Sequence, residues 1–213
     1  MDTQKLDGLP TASSPLISFG VAALALSGET ESGDQHLVKP NGKEVLLAAL
    51  DGLGHGPEAA LAARRGRALL EAHAEEPLLS LVGRCHQGLS RTRGVAMSLA
   101  SIHARDNSLT WLGVGNVEGV LLAGGNSTGS GHEWLMLRGG VVGHQLPPLR
   151  ASVLPIKPGD LLIFCTDGIA TGFLEGVEAS DPPQRIADQI LARYGKRTDD
   201  ALVLVARYLG TRP

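Results

Sequence analysis

Aspartates stand at four places where apolar runs meet turns, and carboxylates crowded together in that setting would call for a cation. Asp51 closes the run VLLAAL and Asp167 closes LLIFCT, each followed by glycine. Asp199-Asp200 immediately precedes ALVLVARY, and Asp34 follows a glycine in ESGDQHLV. Burying one carboxylate near a strand end is costly unless it is paired, and several together are worse. A hard divalent cation resolves the conflict, because Mg2+ and Mn2+ favour carboxylate, carbonyl and water oxygens. Glycine after a ligand lets the backbone approach closely and offer its own carbonyl, which adds Gly52 to the candidates. Taken singly, an Asp-Gly pair is commonly just a turn. Four such positions in one apolar framework point to a shared site.

Other residues compete for attention. His55 lies in the turn after Asp51, a candidate for positioning a water or for general acid work beside the ordinary reading of local structure. GLGHGPEA is a glycine-rich turn entering a helix, a place where phosphate could sit, yet it lacks the Walker lysine-serine ending and full GxGxxG spacing. Gly125–Gly129 spells the GxSxG nucleophile pattern, but in a polar tract with no helix after it, so a hairpin loop is the reading. Arg64, Arg65 and Arg67 spread around a helix, either as solvated surface or as an attraction for an acidic partner. Cys85 and Cys165 match no metal or redox spacing and read as buried, reduced thiols.

The elements that must position these groups follow from pattern. Ile17 to Leu26 suits a strand, and Val45 to Leu50 is the continuous apolar run of a strand covered on both faces. Asn41-Gly42 offers a hairpin turn between the Val38 and Val45 segments. Helices are expected from Pro57 through Glu76, from Pro77 through Ser90 and near Pro182–Arg193, the first opened by a proline suited to an initial turn. Apolar segments at Val95–His103, Leu109–Gly115, Gly119–Leu122, Trp134–Leu137, Leu161–Asp167 and Ala201–Tyr208 supply strands. Strands flank a helix pair without βαβ alternation, so the class is α+β, with antiparallel sheets covered by helices. The 213 residues suit one domain, expected over 15–213 after a flexible leader at 1–14. With 43% hydrophobic and 19% charged residues the chain can bury a core, and a net charge of -3 gives no case for nucleic acid or an anionic membrane. The polar start lacks a signal core and no apolar run reaches a bilayer-spanning length, so a cytoplasmic location is expected.

GETESGDQHLV, LLAALDGLGHGPEAA, GVGNVEGVLL, PGDLLIFCTDGI and TDDALVLVARY occur in an order that resembles the metal-dependent protein phosphatases of type 2C, specifically their SpoIIE-like branch. The resemblance runs from Ile17 to Tyr208 and is strongest toward the compact stand-alone members that reset the stressosome. It implies an αββα four-layer sandwich with two ions of Mn2+ or Mg2+ at one end of the paired sheets. By the same resemblance Asp51 bridges the ions, Gly52 adds its carbonyl, Asp167 and Asp199 hold the second ion, and Asp34 holds metal-bound water or a further ion. Asp200 is a ligand only if the register shifts, and Asn116 matches a family position expected to fix a turn. Water shared by two such cations loses proton affinity and attacks phosphorus in line, with no phosphoenzyme. The implied activity is a protein serine/threonine phosphatase acting as a monomer on stressosome scaffold and STAS-domain phosphoproteins, a negative regulator of stress signalling. An anti-anti-sigma factor as substrate, or a non-catalytic phosphoprotein-binding module, are the alternatives. Animal relatives grip phosphate with an arginine before the first acidic motif; none precedes Asp34, so that grip must come from elsewhere.

Overall fold

A computed structural model describes residues 13–14, 16–124 and 131–211. In chain order the elements are β1 (Ser13–Ser14), β2 (Ile17–Leu24), β3 (Asp34–Asn41), β4 (Glu44–Gly52), α1 (Pro57–Ala72), α2 (Leu78–Gly88), β5 (Val95–His103), β6 (Ser108–Val114), β7 (Glu118–Leu122), β8 (His132–Trp134), β9 (Leu137–Arg138), β10 (Ser152–Pro155), β11 (Leu161–Cys165), α3 (Pro183–Tyr194) and β12 (Ala201–Tyr208). One sheet runs β1-β2-β12-β11-β7-β8 and the other β10-β6-β5-β4-β3, with β9 added to β6 in parallel. All other described pairings are antiparallel. The α+β expectation holds.

Strand periodicity explains the layers. Successive side chains of a strand point to opposite faces. Val45, Leu47 and Ala49 of β4 therefore join a core between the sheets, with Trp111, Leu162, Phe164, Leu204 and Tyr208. Leu46, Ala48 and Leu50 face the other way and pack with Ala62, Ala63, Leu70, Leu81 and Cys85 of α1 and α2. On the second sheet Ile163, Cys165, Val203 and Val205 pack under Ile186, Ala187 and Ile190 of α3. Three cores separate four layers, helices outside and sheets inside. The continuous apolar runs of β4, β11 and β12 are the signature of strands buried on both faces.

Some local expectations shift. The β3–β4 register pairs Asn41 with Glu44, so the turn is Gly42-Lys43, with Gly42 at φ 59°. The Trp134–Leu137 segment is divided rather than one strand: Trp134 pairs with Val120 in one sheet and Leu137 with Gly113 in the other. β10 has no strong apolar signature because its residues are mostly exposed at a sheet edge. The first helix stops at Ala72, short of Glu76. Cys85 and Cys165 are buried and unpaired, with burial pushing the Cys85 thiol up to about 12. The GxSxG stretch at 125–129 lies outside the described residues, and of the leader only Ser13 and Ser14 are described, paired with Ser18 and Ile17.

Candidate metal centre

The two sheets present their carboxylates at one end of the sandwich. β3 begins at Asp34 and β4 turns away just past Asp51, and the antiparallel register sets these two residues directly opposite each other. Asp51 continues the alternation of Val45, Leu47 and Ala49, so its side chain enters the space between the sheets. From the facing sheet, Asp167 follows β11 and Asp199-Asp200 leads into β12, strands that are themselves neighbours. Thr166 ties the sheets together here, its hydroxyl donating to Asp34 Oδ2 at 2.7 Å.

Asp34 is only 4% exposed, and burial together with Asp51, Asp200 and Asp167 holds its carboxyl well above the usual range; the Thr166 bond opposes that shift. Asp51 is pushed up to about 7, first by burial and then by Asp167, Asp199 and Asp200. Asp167 is raised by burial and by Asp199, while Lys196 and Asn116 pull it down. Like charges directly opposite in a sheet are destabilising, and no basic side chain among the described residues pairs with Asp34 or Asp51. The arrangement requires protons or a cation. No three described Asp, Glu, His or Cys side chains close on one point as a ready-made cage. The donors brought to this end of the sheets are carboxylate oxygens, the type that Mg2+ and Mn2+ take together with waters, so their chemistry fits such an ion.

Backbone contacts separate the two aspartates of the Asp-Asp pair. Asp200 is 3% exposed, and its two oxygens accept the N–H groups of Leu26 and Gly33, each at 2.8 Å. It clamps the chain leading into β3. Asp199 is half-buried, with one oxygen accepting the Asp200 N–H at 2.9 Å. The glycines after Asp51 and Asp167 are fixed by close approach. A Cβ on Gly52 would lie 2.2 Å from the Ala59 carbonyl oxygen, and one on Gly168 would lie 1.9 Å from the Asp200 oxygen. The small inward face of α1, with Ala59, Ala60, Ala62, Ala63 and Gly66 buried, is what lets the helix lie so near the strand.

His55 stands apart from the carboxylates in its contacts: its Nδ1 is 2.9 Å from Glu29 Oε1, and its side chain is 62% exposed. Asn116 does more than hold a turn, since its amide donates to Asp167 Oδ2 at 2.7 Å. Sequence reading missed Thr166, Glu29 and Lys196, whose ammonium donates to the Asp167 carbonyl oxygen at 2.7 Å. Of these only Thr166 carried a usable signal, as the residue that continues the Leu162–Phe164 alternation toward the site. Arg64 and Arg67 are engaged by Glu31 and by the His36 carbonyl oxygen.

Residues 41–209 match the family model for stage II sporulation protein E, SpoIIE. The chain belongs to the SpoIIE family. A chain from a structure of the bacterial stressosome, described as a modular system adapted to control secondary messenger signalling, is 30% identical to this SpoIIE-family chain. The two superpose with a TM-score of 0.81 over 90% of this chain and 99% of that one. The crystal structure of RsbX in complex with magnesium has the same fold, at 23% identity and a TM-score of 0.81, covering 92% and 98% of the two chains. Phosphoserine phosphatase RsbX of Bacillus subtilis (strain 168) is 33% identical over 101 residues, 47% of this chain. The match spans about half, 51%, of that relative's length. No described helix is long and apolar enough to cross a membrane.

Proposed function

We propose that the protein is a metal-dependent protein serine/threonine phosphatase. The observation that carries this reading is the direct opposition of Asp34 and Asp51, with Asp167 and Asp199 in electrostatic range, in a SpoIIE-family chain. Asp51, the Gly52 carbonyl, Asp167 and Asp199 would hold two ions of Mn2+ or Mg2+, and Asp34 would orient water. Bound there, such ions lower the proton affinity of water and offset charge on a phosphoryl group in the transition state. The chain's own residues do the positioning. Thr166 fixes the Asp34 carboxylate, Asn116 orients Asp167, and Asp200 locks the loop from Leu26 to Gly33. His55 and Glu29 brace the turn after Asp51.

As substrates we propose the phosphorylated scaffold and STAS-domain proteins of a stressosome, with their dephosphorylation lowering stress signalling. Two similarities support this: the chain from a stressosome structure, and RsbX, named a phosphoserine phosphatase. The test is Mn2+-dependent release of phosphate from a phosphorylated STAS-domain protein. Asp51→Asn is expected to lower turnover by roughly 100-fold or more, the scale of losing charge stabilisation in the transition state. Turnover unchanged in Asp51→Asn would sink the site assignment, and no metal-dependent turnover on any phosphoprotein would leave a binding module.

A further inference from the structure

The turn that follows Asp51 also forms one wall of an open cavity of about 730 Å3. Leu53 and Leu61 line it and keep 36% and 55% of their surface exposed, an apolar floor with no covering element among the described residues. Arg91 and Arg93 line it too. Arg93 is balanced by Glu58, at 2.5 Å, whereas Arg91 is exposed and has no hydrogen bond or ion pair among the described residues. Two guanidinium groups therefore face one carboxylate. The position is fixed by strand pairing: Gly52 pairs with Val95, and the Leu53 N–H donates to the Gly94 carbonyl oxygen at 3.2 Å. The cavity thus opens at the strand end that carries Asp51.

We propose that this cavity docks the polypeptide segment beside the phosphorylated residue of the substrate. It selects an acidic side chain for Arg91 and an apolar one for Leu53 and Leu61. The inference rests on the phosphatase reading and adds a specificity determinant to it. The reason is charge complementarity. The carboxylate cluster around Asp34 and Asp51 repels an acidic segment until cations are bound, and even then the basic side chain beside it, Lys196, is held by the Asp167 carbonyl oxygen and offers no free partner. The guanidinium groups next door do, and opposite charges across an interface set which partner is accepted and how fast it arrives.

The experiment uses the full chain with Mn2+ and two synthetic phosphoserine peptides, identical except that glutamates or lysines flank the phosphoserine. Hydrolysis of p-nitrophenyl phosphate by the wild-type chain, which needs no flanking segment, is measured alongside. The wild type is expected to favour the glutamate peptide by about fivefold in kcat/KM, the scale of one exposed ion pair. Arg91→Glu is expected to invert the preference, with the change carried by KM, and Arg91→Ala to abolish it. No preference in the wild type, or an Arg91→Glu chain that loses both peptides equally, would overturn the docking proposal while p-nitrophenyl phosphate turnover kept the phosphatase reading. Turnover of none of the three compounds would overturn both.

Discussion

Carboxylates held above their ordinary range make the metal-free protein sensitive to pH. Asp51 is raised from 3.8 to about 7 by burial and by Asp167, Asp199 and Asp200, and Asp34 is raised in the same direction. For an acid whose folded value exceeds its unfolded one, the stabilisation is present below the unfolded value and is lost as pH rises through the folded one. In EDTA the melting temperature is therefore expected to fall as pH is raised from about 4 to about 7. Asp51→Asn should flatten that slope and raise the metal-free melting temperature above pH 7, even as it removes activity. His36 pulls the other way: burial, aided by Arg67, lowers it from 6.5 to about 4, so its contribution is present above 6.5 and lost on acidification toward 4. The difference between wild type and Asp51→Asn, melted in parallel, isolates the aspartate. Identical slopes in the two would show that Asp51 is not under charge strain.

Helix α1 and strand β4 are joined so closely that glycine is obligatory at their contact. An alanine Cβ at position 52 would meet backbone atoms of Ala59 at 2.2 Å, and neither the helix nor the strand can yield without moving. Gly52→Ala is expected to cost about 2–3 kcal/mol in urea unfolding, the range for overpacking, and to disturb Asp51 next to it. Gly83 in α2 meets nothing within 4 Å, so Gly83→Ala is expected to stabilise by about 0.5–1 kcal/mol through helix propensity. Opposite signs for one chemical change would confirm that contact rather than composition governs these sites. The same scale shows why β4 was legible and β8 and β9 were not. A long run buried on both faces has one interpretation. The four residues from Trp134 to Leu137 are shared by two sheets, which no local pattern distinguishes from one short strand.

Across the whole molecule, the site depends on two sheets being held face to face by the core containing Leu47, Trp111, Phe164 and Tyr208. Any ion that binds the folded carboxylate cluster and not the unfolded chain stabilises the fold by mass action. At a Mn2+ concentration about 100 times its dissociation constant the gain is about 2.7 kcal/mol. For a domain of this size that corresponds to a rise of roughly 5–10 °C in melting temperature, reversed by chelation. A melting temperature indifferent to Mn2+ and Mg2+ at every concentration would count against the metal centre.

The chain's apolar periodicity was enough to give the class, most of the described strands and the three described helices, because faces buried on both sides leave continuous runs such as VLLAAL and LLIFCT. It also made Asp34, Asp51, Asp167 and the pair Asp199-Asp200 conspicuous, as carboxylates at the ends of such runs, while their grouping as one metal set, with Asp199 preferred, came from the family resemblance. What it could not decide is which of those groups meet. The opposition of Asp34 and Asp51 is a matter of strand register, and the bond from Thr166 to Asp34 spans 132 positions. Asp199 and Asp200 are identical neighbours in the sequence. Only the tertiary structure separates them: Asp200 is held by two backbone N–H groups from the approach to β3, whereas the Asp199 carboxylate accepts only the Asp200 N–H among the described residues and acts electrostatically on Asp51 and Asp167. The physical reason is the same in each case: burial and side-chain spacing are local and periodic, whereas the partner of a buried polar group is chosen by the packing of segments distant in the chain.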